Sequence, residues 1–175
     1  MKETAKSGRG RVVALCGGVG GAKLAFGLSR LLGPELTVVV NTGDDFEHLG
    51  LLVSPDLDTV LYTLGGIANK ELGWGRADES WNFMEALRHL GGEAWFQLGD
   101  RDLALHVERT HRLRSGQSLT EFMGVAASRH GVSATILPMC DDPIRTMLET
   151  SEGLLPFQRA DYEAVVAAHG RSQTH

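Results

Sequence analysis

The sequence predicts an α/β fold: a three-layer, Rossmann-like arrangement of a mostly parallel sheet with helices on both faces. Two apolar, β-branched runs, RVVALC (Arg11 to Cys16) and LTVVVN (Leu36 to Asn41), each read as a strand buried on both faces. Between them leucine recurs at helical spacing, through Leu24, Leu28, Leu31 and Leu32, so the three segments make a βαβ unit. Glycine is in excess, 22 of 175 residues, and clusters after the predicted strands, where a backbone comes closest to a ligand. A right-handed crossover then sets the glycine stretch that begins at Gly17 beside NTGDD (Asn41 to Asp45) at the carboxyl edge of the sheet.

The remaining elements follow in order. Ser54 reads as a helix cap with Pro55 in the first helical position, and Leu57, Val60, Leu61 and Leu64 form one apolar face that Gly65 and Gly66 terminate. In ESWNFMEALRHLGG (Glu79 to Gly92) the predicted buried stripe is Phe83, Met84, Leu87 and Leu90, with Gly91 as the stop. AWFQL (Ala94 to Leu98) reads as a third strand. A helix over Asp102 to Leu113 would bury Leu103, Val107 and Thr110. The next opens on a capping box, Ser118 with Glu121, and buries Leu119, Phe122, Ala126 and Ala127. SATILPM (Ser133 to Met139) reads as a fourth strand, and CDDPIRTMLET (Cys140 to Thr150) as a turn and an extended piece. Residues 1–10 read as a disordered start, and residues 159–175 as one weak helix with a polar end.

Composition narrows the function classes. No apolar run approaches the roughly 18 residues of a membrane span, and the polar start lacks the apolar segment of a secretory signal, so a cytoplasmic protein without membrane contact is expected. The net charge is −5 and the densest basic cluster is RTHRLR (Arg109 to Arg114), which argues against a nucleic-acid partner. Cys16 and Cys140 stand far apart without metal or disulfide spacing and read as two buried thiols.

The glycine loop, Gly17, Gly18, Gly20 and Gly21 before Lys23, opens a helix, where free backbone N–H groups and the helix dipole favour an anion. It is not a Walker loop, since Ala22 precedes Lys23 and Leu24 replaces the metal-binding hydroxyl. It is not a dinucleotide fingerprint either, because Lys23 occupies the place of the third glycine. Asp44, Asp45, Asp56 and Asp58 supply hard oxygen ligands nearby, as Mg²⁺ requires when substrate phosphates complete its shell. Asp56, in a first helical turn, is equally well explained by the helix dipole. LGDRD (Leu98 to Asp102) repeats the pattern of strand, glycine and alternating charge, with Arg101 suited to phosphate oxygens and Asp100 or Asp102 competing as a helix cap. Trp74 either stacks on a planar ring or belongs to the core. His106 and His111, five apart, share no helix face and read as surface residues.

Taken together, GGVGGAKLAFGL, TVVVNTGDDFEHLGLLVSPDLDTVLYTLGG, WFQLGDRDLALHVERT, LRSGQSLTEF and ILPMCDDPIRTML resemble the 2-phospho-L-lactate transferase family of deazaflavin coenzyme (F-420) biosynthesis. SPDLDTVLY and LGDRD carry the specificity of that resemblance, which spans about residues 12–158. It implies transfer of a phospholactyl or phosphoenolpyruvyl group from a guanosine diphosphate carrier to the ribityl hydroxyl of 7,8-didemethyl-8-hydroxy-5-deazariboflavin, with GMP released and Mg²⁺ required. It further implies Asp45 and Asp58 at the metal and acceptor site, as the catalytic pair, and phosphate on Gly17 to Lys23. Deazaflavin would lie near Asp58, Gln97 and Trp74, although Gln97 stands where a basic residue is common. Residues 11–158 would then be the N-terminal half of the family fold, apparently truncated, with residues 159–175 as a non-matching tail and weak or absent activity. An exposed sheet edge in such a chain favours a homodimer. A second reading is a nucleotide-sugar-binding regulator resembling the gluconeogenesis-factor proteins, against which LGDRD and SPDLDTVLY weigh.

Overall fold

A computed structural model describes residues 10–71, 74–150 and 153–158. The expected start and the tail from residue 159 lie outside them, apart from Gly10.

Strand β1 (Val12–Cys16), helix α1 (Gly18–Leu32) and strand β2 (Leu36–Val40) form the expected βαβ unit. β1 pairs in parallel with β2, and β2 with β5 (Thr135–Pro138), so β2 is the middle strand of three. Register follows from side-chain alternation: Val12, Ala14 and Cys16 lie opposite Leu36, Val38 and Val40, and Val38 lies opposite Ile136. These residues share the face that α1, α2 (Pro55–Leu64) and α5 (Leu119–Arg129) cover. Leu57, Val60, Leu61, Phe122, Met123, Ala126 and Ala127 close that core.

The α/β class and parallel Rossmann-like sheet are those expected, while the second helical layer is not among the described residues. The opposite face of β1 is open, with Val13 62% and Leu15 79% exposed. The α1 stripe also differs. Ala22 and Ala25 are buried and Leu28 and Leu32 partly so, whereas Leu24 and Leu31 are exposed. Small residues face the sheet because α1 comes close to it: a Cβ at Gly21 would stand 3.1 Å from both Cα and Cβ of Cys16. Gly21 therefore provides the close packing for which Lys23 is unsuited.

A hairpin, β3 (Phe46–His48) and β4 (Leu51–Val53), follows β2. Leu49 and Gly50 both adopt positive φ, 53° and 73°, as a two-residue hairpin turn requires. Leucine there hides the turn, which is usually signalled by Asn or Asp before Gly. Ala94 to Leu98, expected as a strand, forms no ladder. Trp95 and Phe96 instead pack edge-on and tilted against Phe46 and His48, with ring centroids 5.0–5.8 Å apart. This aromatic contact places two successive side chains against one hairpin, which strand alternation forbids.

Helix α3 (Asn82–His89) buries Met84, but Leu90 is 82% exposed beyond its end. Helix α4 (Asp100–Arg114) buries Thr110 and partly buries Leu103 as expected, but His106 and Arg109 are buried beside them while Val107 stays 48% exposed. The capping box of α5 is formed: Ser118 Oγ accepts from Glu121 N, and Glu121 Oε2 accepts from Ser118 N. Strand β6 (Met147–Thr150), the expected extended piece, pairs with β7 (Gly153–Pro156), which had no sequence signal. Among the described residues no helix is long and apolar enough to cross a membrane.

Candidate functional site

The site is built at the carboxyl edge of β1 and β2. Gly17 caps α1 in an extended conformation, and Gly18 takes a positive φ of 36°, so the chain turns directly from strand into helix. A Cβ at Gly17 would lie 3.3 Å from Asp56 Oδ2, and one at Gly18 3.5 Å from Asp56 Oδ1. The loop is thus pressed against a carboxylate. Asn41 holds that carboxylate, its Nδ2 donating to Asp56 Oδ2 at 3.0 Å and to Asp44 Oδ2 at 3.2 Å, while its Oδ1 accepts from Gly43 N. Burial and then the neighbouring Asp56 charge raise the pKa of Asp44. Asp56, explained equally well from sequence by the helix dipole, is therefore the carboxylate nearest the glycine loop.

Asp45 and Asp58 lie deeper. Ser54, expected to cap α2, donates its hydroxyl to Asp45 Oδ2 at 2.7 Å instead. Burial pushes Asp45 up to about 7, against the opposing effects of Ser54 and Arg109. Asp58 is 5% exposed and paired with Arg109 Nη2 from α4. Arg109 Nη1 donates to Leu52 O at 3.2 Å and meets His106 Nδ1 at 3.3 Å, and His106 Nε2 faces Asp102 Oδ2 at 3.4 Å. Tyr62 donates to Asp102 Oδ1. Burial raises Asp58; burial works to lower Arg109, but the Asp58 charge outweighs it and the guanidinium pKa rises. Burial raises Asp102 too, yet hydrogen bonding and charge from His106, with Tyr62, bring it below the usual carboxylate range. His106, expected at the surface, is 1% exposed because these carboxylates need it. His111 is exposed, as expected.

A cavity of 260 Å³ opens beside this network, lined by Thr42, Asp45, Ser54 and Arg109, with Phe46, Leu52, Leu119 and the segment from Cys140 to Arg145 as further walls. Thr42 Oγ1, Asp45 Oδ1 and Arg109 Nε line it without a hydrogen-bond partner, and Asp58 Oδ2 is a fourth buried polar atom without one. Buried polar groups are normally satisfied, so orphans gathered at one cavity mark a place for ligand atoms. Cys140 is half-buried at its wall, whereas Cys16 is fully buried.

The other expected residues divide among separate places. Lys23 and Trp74 come together in a second groove, of 310 Å³, with Val19, Thr59, Thr63 and Lys70, and Trp74 is 49% exposed. Arg101 is carried away from the glycine loop into a third groove, between α4 and α5. Gln97 is held by Arg88 Nη2 at 2.8 Å and donates to Ala94 O at 3.3 Å, so Gln97, Trp74 and Asp58 do not share one pocket. Asp100 and Asp102 do not cap their own helix: Asp100 accepts from the N–H groups of Asn82 and Phe83 at the start of α3, and Glu79 caps α4 through Arg101 N and Asp102 N. Among the described residues no three His, Cys, Asp or Glu side chains converge as a metal cluster.

Residues 12–172 match the family described as 2-phospho-L-lactate transferase CofD, which carries the likeness past Gln158, where the sequence reading ended it. The chain is 46% identical over 145 residues to a phosphoenolpyruvate transferase of Kitasatospora aureofaciens, covering 81% of this chain and 45% of that protein. It is 43% identical over 148 residues to a 2-phospho-L-lactate transferase of Methanosarcina mazei, covering 84% and 49%. A phosphoenolpyruvate transferase of Mycobacterium marinum is 42% identical over 163 residues, 86% of this chain and 50% of the relative. The chain thus spans about half the length of these relatives, and on this match it belongs to the 2-phospho-L-lactate transferase family.

Proposed function

We propose that the chain carries the acceptor-activating and phosphate-binding part of a transferase of F-420 biosynthesis. The group moved is phospholactyl or phosphoenolpyruvyl, the donor a guanosine diphosphate carrier, and the acceptor the ribityl hydroxyl of 7,8-didemethyl-8-hydroxy-5-deazariboflavin. The observation that carries this reading is the set of polar atoms without a hydrogen-bond partner, Thr42 Oγ1, Asp45 Oδ1 and Arg109 Nε, on residues that line one cavity, with Arg109 paired to the buried Asp58. The unpartnered Asp45 oxygen and the threonine hydroxyl at the cavity, with Asp58 as a further carboxylate, fit Mg²⁺, a hard cation that takes few protein ligands and completes its shell with water and phosphate. Bound there, the ion would neutralise charge on the diphosphate.

The residues of the chain supply the rest. The acceptor oxygen attacks the phosphorus bearing the lactyl or enolpyruvyl group, the diphosphate bridge breaks, and GMP leaves with the bridging oxygen. Asp45, at the cavity wall with its Oδ2 held by the Ser54 hydroxyl, is positioned to receive the hydroxyl proton. Arg109 fixes Asp58 and adds positive charge. The N–H groups at the start of α1 and the Lys23 ammonium bind phosphate oxygens, and Trp74 in the same groove as Lys23 offers a face for the flat deazaflavin ring. Gln97, tied to Arg88, is the weakest of the expected contacts.

The test supplies the protein with deazaflavin, the guanosyl donor and Mg²⁺ and follows GMP by chromatography. GMP release above background, lowered about a hundredfold in Asp45→Asn and abolished by chelation, supports the reading. Release unchanged in both Asp45→Asn and Asp58→Asn would overturn the assigned site. Saturable binding of a nucleotide sugar without deazaflavin binding would favour a regulator.

A further inference from the structure

The groove between α4 and α5 is separate from the cavity and from the Lys23 groove, and its chemistry differs from both. Helix α4 lines it with Arg101, Ala104, Leu105, Glu108 and Arg112, and α5 with Phe122, Val125, Ala126 and Arg129, followed by His130 just past its end; Arg76, bridged to Ala68, lines it as well. These spacings put each set on one face of its helix. The result is an apolar floor between four guanidinium groups and one carboxylate, on a chain whose net charge is −5. Arg112 Nε already donates to Glu108 Oε1 at 2.6 Å, so the groove accepts a carboxylate. Arg76, Arg101 and Arg129 make no ion pair among the described residues.

We propose that this groove docks an acidic, amphipathic polypeptide segment of another protein, its apolar side chains on Leu105 and Val125 and its carboxylates on Arg76, Arg101 and Arg129. The guanidinium fork matches a carboxylate in two parallel hydrogen bonds, which favours arginine over lysine at such a rim. A single-stranded nucleic acid fits less well, because its bases need exposed aromatic faces; of the two rings here, Phe122 is 2% exposed and His130 is half-buried with Nδ1 2.8 Å from Ala126 O. The proposal is independent of the transferase reading, since none of its residues lines the catalytic cavity.

Fluorescence anisotropy of a labelled synthetic peptide, leucine at every third or fourth position and glutamate elsewhere, tests it. Saturable binding is expected that weakens with salt, that falls about tenfold in Arg101→Glu or Arg129→Glu, and that is unchanged in Arg30→Glu on α1. Circular dichroism of each variant separates lost binding from lost folding, and Arg129→Gln, a smaller change, is expected to weaken binding to an intermediate degree. Binding that is absent at low salt, that is equal in the charge-reversed and parent proteins, or that is tighter for a charge-matched oligoribonucleotide than for the peptide overturns the proposal.

Discussion

Asp58 and Arg109 lie 51 residues apart, and neither carries a local signal of the other. The sequence marks Asp58 as chemically interesting, yet gives no hint that its partner is an arginine from within a basic run. A helix whose inward face is His106, Arg109 and Thr110 defeats a reading based on apolar spacing, because the burial is secured by ion pairing. The pairing makes Arg109 critical to stability. Arg109→Ala leaves Asp58 charged and buried, and is expected to lower unfolding free energy by about 3–5 kcal/mol in urea titration. Replacing both partners by apolar residues, Asp58→Leu with Arg109→Met, should recover most of that loss, since burial without charge carries no such penalty. A single and a double variant equally destabilised would show that the pair is not the source.

At the scale of elements, strands and helices with strong local chemistry were legible. β1, β2 and β5, the apolar face of α2 and the capping box of α5 stand where the pattern puts them. What failed were the aromatic segment at Trp95, set by a distant partner, and β7, four residues without a strand signal that pair locally with β6. The same holds for the site. The glycine loop and the acidic stretches were found, but which carboxylate faces the loop and which turns inward depends on Asn41, Ser54 and Arg109. The exchanged caps of α3 and α4 also lie beyond local reading. Hydrogen bonds from Ser80, then Phe83 and Asn82, hold Asp100 down at about 2. A carboxylate depressed on folding contributes stability above its ordinary value near 3.8 and loses it as pH falls through about 2. Thermal unfolding followed from pH 5 to pH 2 should therefore fall less steeply in Asp100→Asn than in the parent; parallel curves would exclude Asp100 from acid sensitivity.

For the whole molecule, the open face of β1 matters most. Parallel sheets are ordinarily covered on both faces, and Val13 and Leu15 leave an apolar surface in water. Sedimentation velocity is expected to show concentration-dependent self-association that Leu15→Lys reduces; a monomer insensitive to that change would mean the face is otherwise protected. The opposite face, where Gly21 meets Cys16, has a different consequence. The Cys16 thiol, raised in pKa by burial, donates to Gly21 O at 3.3 Å with no room for an attacking reagent, while Cys140 lies half-buried at a cavity wall. The two sulfurs are a native pair of clocks. Alkylation at Cys140 should run at the pace of small local openings, and at Cys16 only as fast as the βαβ core comes apart. Mass spectrometry of timed labelling would thus read core opening from the unmodified sequence, without any added probe.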